Sequence, residues 1–241
     1  MKSIALLKQV PSWIKTSVKV LVSALILWLI IRKIDVQQLR TSLATVSPVW
    51  WLWAVLWFTI SKIISAYRFR LLLAAESISI KPLPSLQLYW LGMYYNLLLP
   101  GGISGDGYKI KVLMDQRSAP IQPLLRVTLV DRFSGLFALV WVSCVLVLFV
   151  PQLADFRVWS VAGLVLSMVA ALVAFRLLPG TVRTQWLQTS TYSLAVQLAQ
   201  TIAVAGLVIA LQETSAWAGY LLLFLISSVA AMVPLTIGGA G

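Results

Sequence analysis

Apolar runs of roughly 20 residues, most of them closed by proline, glycine or a basic cluster, recur along the 241 positions, and nothing else limits the fold so tightly. A soluble domain covers its core with polar surface. A chain that is 60% hydrophobic and 11% charged has too little polar surface to do that, so a bilayer is the solvent that fits. The expected fold class is all-α, a polytopic integral membrane helical bundle, because helices satisfy their own backbone groups in lipid. A net charge of +12 in a soluble protein would suggest nucleic acid. Here the Lys and Arg residues fall in short clusters between apolar runs, the pattern of positive-inside topology, and no nucleic-acid partner is expected.

The runs place helices at about 17–32, 48–67, 84–99, 122–150, 157–178, 189–211 and 217–236, in one transmembrane domain over 1–241. Lys2, Lys8, Lys15 and Lys19 precede the first run, no small-residue cleavage site follows it, and Arg32-Lys33-Ile34-Asp35 closes it. It reads as a retained first span with the N-terminus cytoplasmic, in the cell (inner) membrane. The second helix opens at Pro48 with Trp50, Trp51, Trp53 and Trp57 at one interface, and closes with Tyr67-Arg68-Phe69-Arg70 at the other. Lys62, in its last turns, either snorkels towards that basic end, the favoured reading, or is a buried functional charge.

The third run, Pro84 to Leu99, ends in Pro-Gly-Gly and is short: about 24 Å of helix against a hydrocarbon core of roughly 30 Å. Charge decides whether it crosses. If it turns back, Lys109, Lys111, Arg117, Arg126, Arg176 and Arg183 join the four N-terminal lysines, Arg68, Arg70 and Lys81 on one face. That makes thirteen cations against four (Arg32, Lys33, Arg40, Arg157), with Lys62 and Arg132 inside spans. The 84–107 segment is therefore predicted to be re-entrant, with a glycine-rich tip facing a cavity, since lipid cannot satisfy non-helical backbone. The chain ends on a second broken element, Pro234-x-Thr236-x-Gly238-Gly239, and paired broken segments point to a central substrate site.

Asp131-Arg132 lies two to three turns into the 122–150 helix. It is either a functional pair or half of a structural ion pair with Lys62, Arg68 or Asp106. Thr189 to Ser193, Gln197 and Gln200 make the start of the 189–211 helix polar, for interhelical packing or, less favoured, a polar path. With no histidine and one cysteine, Cys144 in an apolar run, metal and His-based chemistry are not expected and neither is a cofactor. The glycines miss both nucleotide motifs: Tyr108 stands between Gly107 and Lys109, and no strand precedes them. What they offer is physical. Backbone N–H groups from Gly101 to Gly107 can form an anion-binding concavity with Lys109 and Lys111 beside it. Asp106 can accept from an amine or hydroxyl, or simply N-cap a helix starting near Tyr108.

Asn96-x-x-x-Pro100-Gly101-Gly102-x-x-Gly105-Asp106-Gly107, then Asp131-Arg132 opening a long apolar helix, then Pro234-x-Thr236-x-Gly238-Gly239-x-Gly241, resembles the flippase-like transmembrane family of the lysylphosphatidylglycerol synthase type. In bifunctional members the similar region is the lipid-translocating part, joined to a soluble aminoacyl-transferring domain that this sequence lacks, so the resemblance implies no aminoacyl transfer and no enzyme. Members are somewhat longer and carry an acidic residue after the last glycine-rich motif, which implies a sequence truncated within that motif. Stand-alone relatives belong to polyprenyl-linked sugar or hopanoid pathways. The resemblance thus implies a translocator of an amphipathic lipid, anionic or polyprenyl-linked, with a partner membrane enzyme or a second copy as further partners. The substrate-binding candidates are Asn96, Pro100, Gly101, Gly102, Gly105, Asp106, Gly107, Lys109, Lys111, Arg68, Asp131, Arg132, Pro234, Thr236, Gly238 and Gly239. The alternatives are a membrane enzyme or accessory subunit acting on polyprenyl-phosphate-linked sugars, with Asp106 or Asp131 as base or metal ligand, and a structural membrane scaffold.

Overall fold

The computed structural model describes residues 47–98, 104–211 and 216–232, together with Trp28, Arg32 and Gln37. The first expected helix is therefore described only at Trp28 and Arg32, whose guanidinium lies 4.0 Å from the indole centre. The second broken element and the tip residues Pro100, Gly101 and Gly102 lie outside the described residues.

Helices form everywhere the apolar runs predict them within these bounds, and no strand occurs among the described residues. We number them α1 (Pro48–Ala75), α2 (Pro82–Leu98), α3 (Ser104–Arg117), α4 (Ile121–Val147), α5 (Arg157–Arg176), α6 (Gly180–Arg183), α7 (Trp186–Ala210) and α8 (Trp217–Met232), with a 3-10 turn over Pro151–Phe156. Among the described residues four segments are long and apolar enough to cross a membrane: Pro48–Ala75, Ile121–Val147, Pro151–Arg176 and Trp186–Ala210. Large apolar side chains point outward along them, among them Leu52, Leu56, Leu129, Phe133, Val158 and Leu166. The protein is an all-α, multi-pass membrane bundle.

α1 starts at Pro48, whose missing N–H costs nothing in the first turn, with Ser47 accepting from the Val49 N–H at 3.4 Å. It continues past the expected end at about 67. Arg68 and Phe69 are buried rather than interfacial, because an ion pair takes the first and a core cluster the second. The helix ends where Ser77 turns left-handed (φ 62°), which lets the Ile78 N–H reach back to the Leu73 carbonyl at 2.9 Å. Ile78 then packs into the same cluster as Leu73.

That cluster joins the helices on either side of the glycine-rich segment. Leu73 of α1, Ile78 before α2 and Leu88 of α2 enter it together with Leu113 of α3, Ala119 after it and Leu124 of α4. Both open ends of the α2–α3 hairpin therefore sit at one end of the bundle, joined there by Phe175 and Val182. α2 and α3 thus lie against each other as a hairpin. A second cluster holds the other end, with Leu139, Val142 and Leu146 of α4 against Leu221, Leu222 and Leu225 of α8. α7 lies along α1 and α4 between them.

In lipid these clusters gain little from the hydrophobic effect, since acyl chains are as apolar as Leu, so close contact and hydrogen bonds between helices set the packing. Gly206 shows the first: a Cβ there would collide with the Trp53 indole, whose Nε1–H donates to the Ile202 carbonyl at 3.1 Å. Most buried hydroxyls are already spent within their own helices, as in Ser65 to the Ser61 carbonyl (2.8 Å) and Thr128 to the Leu124 carbonyl (2.8 Å). The buried charged side chains that pair between helices, Arg68 with Asp131 and Arg132 with Asp106, lie together, between the two apolar clusters.

Candidate functional site

Arg68 of α1 and Asp131 of α4 meet in that middle layer. Arg68 Nε donates to Asp131 Oδ1 at 2.8 Å and its Nη1 to Ser193 Oγ of α7 at 2.7 Å, so one guanidinium ties three helices together. Arg68, Asp131 and Ser193 are all buried, and Ser193 passes its own proton to the Thr189 carbonyl at 2.7 Å. Beside them, Gln197 Nε2 donates to the Gly135 carbonyl at 3.3 Å while its Oε1 has no partner. The polar start of α7 therefore serves both expected purposes: it binds neighbouring helices and it lines a polar space.

The hairpin supplies a second charged cluster. Asp106 pairs with Lys109 Nζ at 2.7 Å through one oxygen and with Arg132 of α4 through the other. Adjacent on one helix, Asp131 and Arg132 thus take different partners, Arg68 and Asp106, in line with the roughly 100° between neighbouring side chains. α3 begins at Ser104, which puts Asp106 inside the first turn with its carboxylate on two cations, so the N-cap reading does not apply. Lys109 is itself buried, with Nζ 4.5 Å from the Phe69 ring centre and 4.8 Å from that of Tyr89.

The hairpin reaches this position because its arms touch backbone to backbone. A Cβ added at Gly105 would run into the Gly92 carbonyl, and one at Gly92 would lie 3.2 Å from the Gly105 oxygen. Asn96 Oδ1 accepts from the Gly105 N–H at 2.8 Å, and Ser104 Oγ donates to the Tyr95 carbonyl at 3.1 Å. The Gly105 amide is thereby engaged inside the hairpin and is not a donor to an anion, which corrects the expected backbone concavity at that position.

A cavity of about 290 Å³ opens among these groups, lined by Asn96, Asp106, Lys109, Arg68, Asp131 and Arg132 of the expected set. Gly105 contributes by seating α2 on α3. Gly107, with open space around it, and Lys111 are exposed and do not line it. Pro100, Gly101, Gly102, Pro234, Thr236, Gly238 and Gly239 lie outside the described residues. Beyond the expected set the cavity adds Lys62, Ser65, Tyr89, Gln197, Gln200 and Ser228. Lys62 does not reach towards the basic end of α1. Its Nζ lies 4.6 Å from the Phe58 ring centre, one turn back, as helical side chains lean towards the N-terminus. The sequence signal for it was a lone cation in an apolar run.

Residues 17–185 match the family described as "Lysylphosphatidylglycerol synthase TM region". No curated protein and no solved structure matches the chain.

Proposed function

The chain belongs to the lysylphosphatidylglycerol synthase TM-region family, and we propose that it translocates an amphipathic lipid with a polar or phosphate-bearing head group across the inner membrane, with its N-terminus in the cytoplasm. One observation carries this reading: a polar cavity inside an apolar-surfaced bundle in which four cations, Lys62, Arg68, Lys109 and Arg132, face two carboxylates, Asp106 and Asp131. Four minus two leaves two positive charges at membrane depth. Charge inside a membrane is expensive and belongs to a pathway or a ligand, and this surplus calls for an anion. At about 290 Å³ the space lies near the lower end of ligand sites, enough for a head group but not for a whole lipid. Asp106, shared by two cations, is the group that exchanges partners when a phosphate arrives on Lys109 or Arg132.

The test is reconstitution into vesicles carrying a fluorescent phosphatidylglycerol, with added dithionite reporting how much label reaches the outer leaflet. Wild type makes nearly all label reducible, and Asp106→Asn returns it to the half seen in empty vesicles with insertion unchanged. Equal translocation by wild type and Asp106→Asn, or turnover of a labelled lipid-linked sugar by the purified protein, overturns the reading.

A further inference from the structure

We infer that an anionic lipid binds with its phosphate on Lys62 and a hydrocarbon chain in a lateral groove between α1, α7 and α8; this rests on the translocator reading and gives it a bound lipid and a route of entry. A second hollow of about 580 Å³ adjoins the polar cavity, walled by Val55 and Phe58 of α1, Val204 and Leu207 of α7 and Phe224 of α8. Lys62, Gln200 and Ser228 line both spaces, so they stand where apolar groove gives way to polar cavity. Val55 and Phe58 are exposed on the outer surface, so the groove opens sideways into the bilayer and a chain enters without leaving hydrocarbon.

Charge names the occupant. Asp131 is taken by Arg68, and Asp106 by Lys109 and Arg132, whereas no carboxylate pairs with Lys62 among the described residues. Its ammonium has the Phe58 ring, a contact that leaves its charge uncompensated. Lys62 lies fourteen residues into α1, about 21 Å along the helix and so near mid-span. A lone ammonium there favours an anionic ligand, and a phosphate at the root of a hydrocarbon chain supplies one at the junction of the two spaces. Gln200 adds an amide beside it.

The experiment is native mass spectrometry of the full chain in detergent, titrated separately with dioleoyl phosphatidylglycerol, dioleoyl phosphatidylcholine, dihexanoyl phosphatidylglycerol and inorganic phosphate. Wild type is expected to retain dioleoyl phosphatidylglycerol about tenfold more tightly than Lys62→Met does, the effect of one charged hydrogen bond. Ala54→Trp, which fills the groove wall, weakens the dioleoyl lipid while leaving the dihexanoyl lipid unchanged. The thermal midpoint of Lys62→Met stays level or rises, since an unpaired charge has gone. Equal affinity in wild type and Lys62→Met, equal binding of phosphatidylcholine, inorganic phosphate binding as tightly as the lipid, or a lowered midpoint overturns the assignment. Translocation by wild type without phosphatidylglycerol binding sinks this site and leaves the translocator standing. Binding that depends on Lys62 without translocation does the reverse.

Discussion

The two buried carboxylates lie one ion-pair layer apart and are held in opposite ways. Asp131 sits between two long helices and faces one guanidinium, which is itself fixed by Ser193 of a third. Asp106 stands on a fourteen-residue helix, the return arm of a hairpin, and divides its oxygens between Lys109 on its own helix and Arg132 on α4, a side chain about a quarter exposed. The first also borders the cavity, but its one cation is fixed by a third helix, and it acts as a strut. The second has more cation than carboxylate and an opening to the cavity, so a ligand can change its balance without pulling helices apart. Within one polar layer, fixity and exchange are separated by which element carries the acid.

The largest expected effect breaks the strut. Asp131→Ala leaves Arg68 buried and uncompensated and should cost about 3–5 kcal/mol, while Arg68→Met with Asp131→Leu recovers most of it, read as thermal midpoints in detergent. If the double variant is as unstable as the single one, Asp131 is not a strut. Next comes the seat of the second acid: Gly105→Ala forces the hairpin arms apart and should cost about 1–3 kcal/mol and lose translocation along with stability. Asp106→Asn should be milder for folding, about 1–2 kcal/mol, since Arg132 reaches water and the amide oxygen can still accept from Lys109, yet lose vesicle translocation. A loss of stability equal to that of Asp131→Ala would erase the distinction between the two sites. The smallest effect is Gly107→Ala, two residues from Gly105 and with nothing within 4 Å, which should stabilise α3 by about 0.5–1 kcal/mol and leave translocation unchanged.

How far the sequence reaches follows from what is local and what is not. The pairing of α2 with α3 was legible in outline because topology leaves its mark in the summed placement of Lys and Arg, and the core cluster at Ile78 and Ala119 holds the outer ends of these two helices together. The membership of Asp106, Lys109, Asp131 and Arg132 in one cavity was readable because charge in an apolar chain is rare and selected for use. Who pairs with whom was not, since periodicity gives the face of a helix but not its rotation against a neighbour 63 residues away, as in Arg68 and Asp131. The same limit misplaced the end of α1: Tyr67-Arg68-Phe69-Arg70 has the composition of an interface, and only the partners at Asp131 and in the core show that two of the four turn inward. Lys62 offered two readings, and the direction of its side chain, set by the helix itself, speaks against the snorkelling one.

The stitching of α2 to α3 has a mechanical consequence. With Gly92 against Gly105, and Asn96 and Ser104 each bonded across the gap, the two arms cannot slide past one another. Any displacement is that of a stiff lever pivoting on the apolar cluster at its open ends, and the Asp106–Arg132 pair is the latch that holds its charged side to α4. On the proposed translocator reading, an anion that drew Arg132 away would release the latch, and ligand arrival and freedom of the lever would be one event.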